Sequence, residues 1–167
     1  MSVNLCRYWL AALVGLCAAL LGCSGMNSEA AASEMQAEPA LASSEFLAVR
    51  FKSGHPSVGE RFLDAVESPS EVQESRLKID AGGLRTIPGV RVEIVGFTDD
   101  RECSGQECYE LSLRRAKSVY DWFLSHGIQK ENMKEPEGRG SEMAIQGNET
   151  EEGRRRNRRT EVNLINP

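Results

Sequence analysis

The sequence lacks a surplus of positive charge, is poor in histidine and has no apolar run long enough to cross a membrane, and each absence removes a class of function. Over 167 residues the formal net charge is -5, so the basic surface that a phosphate backbone demands is missing. The two histidines are His55, in a Pro/Gly-bordered turn, and His126, at a predicted helix end. Neither stands near a candidate nucleophile, and Ser104 lies between two cysteines with no base in view. With neither a metal cluster nor a phosphate loop visible, no enzyme activity and no cofactor are expected. No internal repeat or heptad run is present. The length suits one ordinary domain plus an appendage and excludes two large domains. Five cysteines cannot all pair, so their positions have to sort them.

Met1–Arg7 has Arg7 as its one charged side chain, and the fourteen residues Tyr8–Leu21 carry no charge, the layout of a secretory signal. That run is shorter than the ~20 residues of a spanning helix. It ends in Leu20-Leu21-Gly22-Cys23, which resembles a bacterial lipobox; the plainer alternative is a signal peptide with an incidental cysteine. The lipobox implies cleavage after residue 22 and lipid on Cys23, so that Cys6 and Cys17 leave with the leader. Each buried methylene contributes ~0.8 kcal/mol, and more than one acyl chain makes a stable anchor. Ser24 resembles the outer-membrane choice rather than the aspartate of inner-membrane retention. From Ser24 to Ser44 the chain is mostly Ala, Ser, Glu, Gly, Met and Pro, without aromatic or β-branched residues. Such a segment is expected to be a disordered tether spanning ~25 Å. The expected division is therefore a signal peptide at 1–22, a lipidated cysteine and tether at 23–45, and a folded domain at 46–167.

Within that domain, Phe46–Phe51 reads as a strand stopped by Ser53-Gly54 and Pro56. A helical turn is expected over Glu60–Val66. A helix is expected over Ser70–Leu84, with Ser70 as N-cap, Val72, Leu77 and Leu84 apolar, and Gly82-Gly83 weakening its end. Val90–Gly96 alternates like a strand with one partly wet face. Leu111, Leu113, Ala116, Val119, Tyr120, Phe123 and Leu124 recur at helical spacing, with Gly127 as the stop. Met133–Gly140 is expected to be a strand, Glu149–Arg155 a short helix and Arg158–Ile165 a last strand. The alternation predicts a two-layer α/β sandwich, a mixed sheet with helices packed on one face.

Four stretches then fall in order: Gly96-Phe97-Thr98-Asp99, Leu111-Ser112-Leu113-Arg114-Arg115-Ala116, Gly138-Arg139-Gly140-Ser141-Glu142 and Asn157-Arg158-Arg159-Thr160-Glu161. Together, from about Phe46 to Leu164, they resemble the OmpA-like domain, a peptidoglycan-binding module. The family shows a G-H-T-D strand end, an L-S-x-x-R-A helix start, a G-x-G-E turn and an N-R-R-V-E last strand. The resemblance implies a ligand, the diaminopimelate of the stem peptide, whose free end is a zwitterion. By that resemblance Asp99 accepts from the ammonium and Arg115 clamps the carboxylate through paired N–H donors. Backbone N–H groups at the helix start are expected to add to the anion site. On the residues alone, Asp99 could equally cap a turn and Arg115 could be a solvated helix charge. Arg158 matches the family's first last-strand arginine and either borders the site or pairs with Glu161 or Glu93 across the sheet.

The family's histidine is Phe97 here, Cys108 stands where an asparagine commonly touches the ligand, Thr160 replaces the last-strand valine, and the proline after G-x-G-E is absent. Cys103 and Cys108 read as a disulfide: the pair has no histidine or further cysteine for zinc, and its spacing is not Cys-x-x-Cys. Closing so short a loop is expected to contribute ~2 kcal/mol. The arginine run 154–159 is nearly cancelled by Glu149, Glu151, Glu152 and Glu161, so nucleic acid is not expected as a partner. The implied function is an outer-membrane lipoprotein, its domain facing the periplasm, that ties the membrane to peptidoglycan. The alternative is an OmpA-like fold with lost or weakened wall binding that works through envelope protein partners.

Overall fold

A computed structural model describes residues 48–165; the expected signal peptide, Cys23 and the tether lie outside the described residues. Four strands make one sheet: β1 (Val49–Arg50), β2 (Arg91–Gly96), β3 (Glu137–Gly138) and β4 (Arg159–Ile165). Their order is β1-β4-β2-β3. β4 runs antiparallel to both neighbours, pairing Val49 with Thr160 and Ile94 with Val162. β3 lies parallel to β2, pairing Val95 with Glu137. The helices are α1 (Phe62–Ala65), α2 (Ser70–Thr86), α3 (Gln106–Ser125) and α4 (Glu151–Asn157). Leu77, Ala81 and Leu84 of α2 and Ala116, Val119, Tyr120 and Phe123 of α3 share one buried cluster with Val49, Val92, Ile94 and Val162 of the sheet. The expected mixed α/β fold is thus present.

Several boundaries differ from the sequence reading. The first strand is two residues long, and Phe51 beyond it bridges to Val66. Pro69, not Ser70, occupies the N-cap of α2, and no side chain caps it. That helix continues through Gly82 and Gly83 to Thr86, while Val72 is exposed. Burial of three apolar residues at i, i+4 and i+7 holds the helix against the low propensity of glycine. The strand expected over Met133–Gly140 is confined to Glu137–Gly138, with Met133 making an isolated bridge to Val92 and a 3-10 turn at Lys130–Asn132 before it. Pro136 interrupts that stretch and has no N–H to give a ladder.

α3 positions the site. It starts at Gln106, and its buried residues run Cys108, Leu111, Ser112, Arg115, Ala116, Val119, Tyr120, Trp122 and Phe123. That is one apolar stripe with Arg115 set inside it. Leu113 and Leu124, counted with the apolar positions from spacing, flank the stripe and are exposed. Gly127 ends the helix at φ 84°, and the Ile128 N–H closes back on the Phe123 carbonyl at 3.1 Å, the left-handed stop that glycine permits.

The helix lies directly on β2 and β3. A methyl on Gly96 would overlap the Ser112 carbonyl, and one on Gly138 would come within 2.6 Å of the Leu113 nitrogen. By contrast, nothing lies within 4 Å of the methyl position of Gly83. Gly96→Ala is therefore expected to lower stability by about 3 kcal/mol. Gly83→Ala should raise it by about 0.5–1 kcal/mol through helix propensity. Urea unfolding midpoints of the two variants check both signs.

Candidate functional site

The chain beyond β2 is held before it reaches the acid. The Phe97 N–H donates to the Arg159 carbonyl at 2.8 Å and the Thr98 N–H to the Gly140 carbonyl at 2.9 Å. Asp99 follows, 1% exposed. Its Oδ1 accepts from the backbone N–H groups of Arg101 at 2.7 Å and Glu102 at 2.9 Å, and its Oδ2 from Arg158 Nη1 at 2.9 Å. Asp99 thus does cap a turn, and it is also half of a buried ion pair.

Arg158 partners neither Glu161 nor Glu93. Its Nη2 donates to Glu151 Oε1 at 2.7 Å and its Nε to the Phe51 carbonyl at 3.3 Å. Burial alone would lower the Arg158 pKa, but the bonds to Glu151 and Asp99 outweigh it and hold the guanidinium above its ordinary value. Bonds from Arg158 and Arg154 hold the Glu151 carboxyl below its ordinary value. Nearby, burial pushes the Glu67 carboxyl up despite opposing arginines. Glu161 goes instead to Arg159 Nε at 2.6 Å, and the Arg159 guanidinium lies 4.1 Å over the Phe97 ring. Asn157 folds the preceding loop by accepting from the N–H groups of Ile145 and Gln146. Arg158 therefore fastens the end of β2, while Asn157 and Arg159 on either side of it hold the 143–148 segment.

Arg115 lies midway along α3 rather than near its start, because the helix begins well before Leu111. It is fully buried, not a solvated helix charge. Its Nε donates to the His55 carbonyl at 2.8 Å, Nη1 to the Phe97 carbonyl at 2.9 Å and Nη2 to the Lys52 carbonyl at 3.1 Å. The two remaining donors form a fork onto Glu102, Nη1 to Oε1 at 2.6 Å and Nη2 to Oε2 at 2.7 Å. All five guanidinium N–H groups are used. Glu102 also accepts from the Gly54 N–H at 2.8 Å and the Asp99 N–H at 3.2 Å.

Spacing alone did not single out Glu102. The backbone donors to the Glu102 carboxylate come from Gly54 and Asp99 rather than from the start of α3. Cys103 and Cys108 are disulfide-bonded with Cα atoms 5.1 Å apart, which ties the residue after Glu102 to the first turn of α3. Beside them opens a cleft of about 250 Å³ lined by Glu102, Gly54, Glu107, Glu110 and Arg114. Among the described residues no group of three or more His, Cys, Asp and Glu is placed to hold a metal ion. No helix among them is long and apolar enough to cross a membrane.

The model of the OmpA family matches residues 71–158, just over half of the chain. The chain belongs to the OmpA family. Among curated proteins, this OmpA-family chain is 38% identical over 82 residues to the peptidoglycan-binding protein ArfA of Mycobacterium tuberculosis, a match covering 49% of the chain and 24% of ArfA. It is 38% identical over 96 residues to outer membrane protein A of Bordetella avium, covering 55% of the chain and 47% of that protein. The chain thus spans less than half the length of these relatives. The C-terminal domain of Helicobacter pylori MotB superposes with a TM-score of 0.59 at 22% identity, over 72% of this chain and 86% of that one. The peptidoglycan-associated lipoprotein of Burkholderia pseudomallei superposes with a TM-score of 0.57 at 20% identity, over 71% and 89%. These two likenesses establish a shared fold.

Truncating Arg115 would leave the Glu102 carboxylate and three carbonyls buried without their donor. Arg115→Ala is expected to cost about 3–5 kcal/mol of folding stability, the penalty for breaking a buried ion pair from one side. Chemical denaturation of the variant against wild type measures it.

Proposed function

We propose that this chain is an outer-membrane lipoprotein that binds peptidoglycan noncovalently through the diaminopimelate of the stem peptide and so ties membrane to wall. The observation that carries the reading is the convergence of two acids and two arginines, Asp99 with Arg158 and Glu102 with Arg115, of which Glu102 lines an open cleft, in an OmpA-family chain. A zwitterion needs an acceptor for its ammonium and a fork of donors for its carboxylate, and Asp99 and Arg115 are the two groups assigned to it, with Arg158 orienting Asp99. The relative named for peptidoglycan binding, ArfA, adds support. The lipobox-like Leu20–Cys23 supplies the anchor, with lipid on Cys23, and the domain then faces the periplasm. The role is adhesion rather than catalysis.

A second reading, an OmpA-like fold that has lost wall binding and contacts envelope proteins, is favoured by one observation: every Arg115 donor is already engaged within the chain. Sedimentation separates the two. The full chain carrying Cys23→Ser, freed of lipid, should pellet with diaminopimelate-type sacculi. Asp99→Asn and Arg115→Lys, checked for folding by circular dichroism, should each weaken pelleting at least about tenfold, the cost of roughly one charge-assisted hydrogen bond. Pelleting unchanged by both variants would sink the ligand assignment, and a wild-type domain that stays in solution would favour the second reading. In cells, Cys23→Ser should release the protein from membranes; a variant that stays membrane-bound contradicts the anchor.

A further inference from the structure

The carboxylate of Glu102 sits in a cradle made almost entirely by the rest of the fold. Two donors come from Arg115 on α3, one from the Gly54 backbone after β1 and one from the Asp99 backbone after β2. Four N–H groups converge on two oxygens, and the guanidinium meets them as a parallel fork, the geometry with which arginine binds any planar carboxylate. The side chain of Glu102 is 1% exposed and that of Arg115 is fully buried. An external carboxylate therefore has no route to Arg115 while Glu102 is in place. Yet Glu102 belongs to a surface loop: Arg101, Ser104 and Gly105 around it are exposed, and the 250 Å³ cleft opens over it.

From this we infer that Glu102 is a built-in stand-in for the ligand's carboxylate: it fills the anion cradle when the protein is free and must swing out before the stem peptide's carboxylate can reach Arg115. The inference rests on the peptidoglycan reading and deepens it. The exchange is chemically even, one carboxylate leaving four donors and another taking them, so the buried Arg115 charge is unpaired only during the swap. Because only the open form binds, the apparent affinity is the intrinsic one multiplied by the open fraction. Glu102 thereby tunes the grip, and a ligand without a carboxylate at that carbon gains nothing from displacing it.

The test uses the full chain in detergent, as wild type, Glu102→Ala, Glu102→Gln and Arg115→Lys, with a soluble diaminopimelate-containing tripeptide titrated by calorimetry. A second tripeptide has the carboxylate of the zwitterionic end replaced by an amide. The expected result is that Glu102→Ala, and to a smaller degree the volume-preserving Glu102→Gln, binds the first peptide at least about tenfold tighter than wild type, given an open fraction of a tenth or less. The gain should vanish with the amide. Equal or weaker binding by both Glu102 variants, while wild-type binding still depends on Arg115, overturns the inference and leaves the peptidoglycan reading standing. If no protein binds either peptide, the peptidoglycan reading fails, and acetate then judges the cradle by itself. Acetate should raise the melting temperature of Glu102→Ala and leave that of wild type unchanged; no shift in Glu102→Ala overturns the stand-in.

Discussion

A buried guanidinium governs this fold. Removing the Arg115 charge from water costs several kcal/mol unless every donor finds an acceptor, and its acceptors are drawn from the 52–55 turn, the residue after β2 and the loop before α3. Satisfying one side chain therefore places three stretches that are remote in sequence. The helix that carries Arg115 can lie on the sheet because Gly96 and Gly138 have no side chain to hold it off. Close approach of α3 and the position of the charge are one arrangement.

A second pair, Asp99 with Arg158, works at right angles to the first in the chain's connectivity. It joins the end of β2 to the start of β4, while Asn157 and Arg159 on either side fasten the 143–148 segment. The two pairs meet at Asp99, whose side chain serves Arg158 and whose backbone N–H serves Glu102. Such coupling explains why four short motifs separated by up to sixty residues form one unit in this OmpA-family domain. It also means that a substitution at any of them disturbs the packing of the others, so binding measurements gain meaning only beside stability measurements.

Much of the fold was legible because it depends on periodicity. The stripe from Leu111 to Phe123 and the alternation over Val90–Gly96 and Arg158–Ile165 report burial directly. Boundaries were less legible. α3 extends back to Gln106 through Glu107 and Cys108, which carry no apolar repeat of their own and are fastened by the disulfide to Cys103. The third strand shrank to two residues because Pro136, with no N–H to give, breaks the ladder on β2 between the Met133 bridge and the Glu137–Gly138 pairing. Of the candidate site, Asp99, Arg115 and Arg158 were readable from family motifs; Glu102 was not, since nothing about an acid in a charged loop distinguishes it from a solvated one.

By itself the sequence determined the kind of molecule: a short acidic chain with a leader-like start, an α/β pattern and the ordered motifs of the OmpA family. Which acid meets which arginine was decided only by the tertiary structure. Residue types say that carboxylates and guanidinium groups will pair, but a buried pair forms where distance and direction allow all donors and acceptors to be met at once. Those are set by how α3 lies on the sheet and how the disulfide draws in its loop. The outcome, Glu102 on Arg115 and Arg158 on Asp99, is a property of that packing.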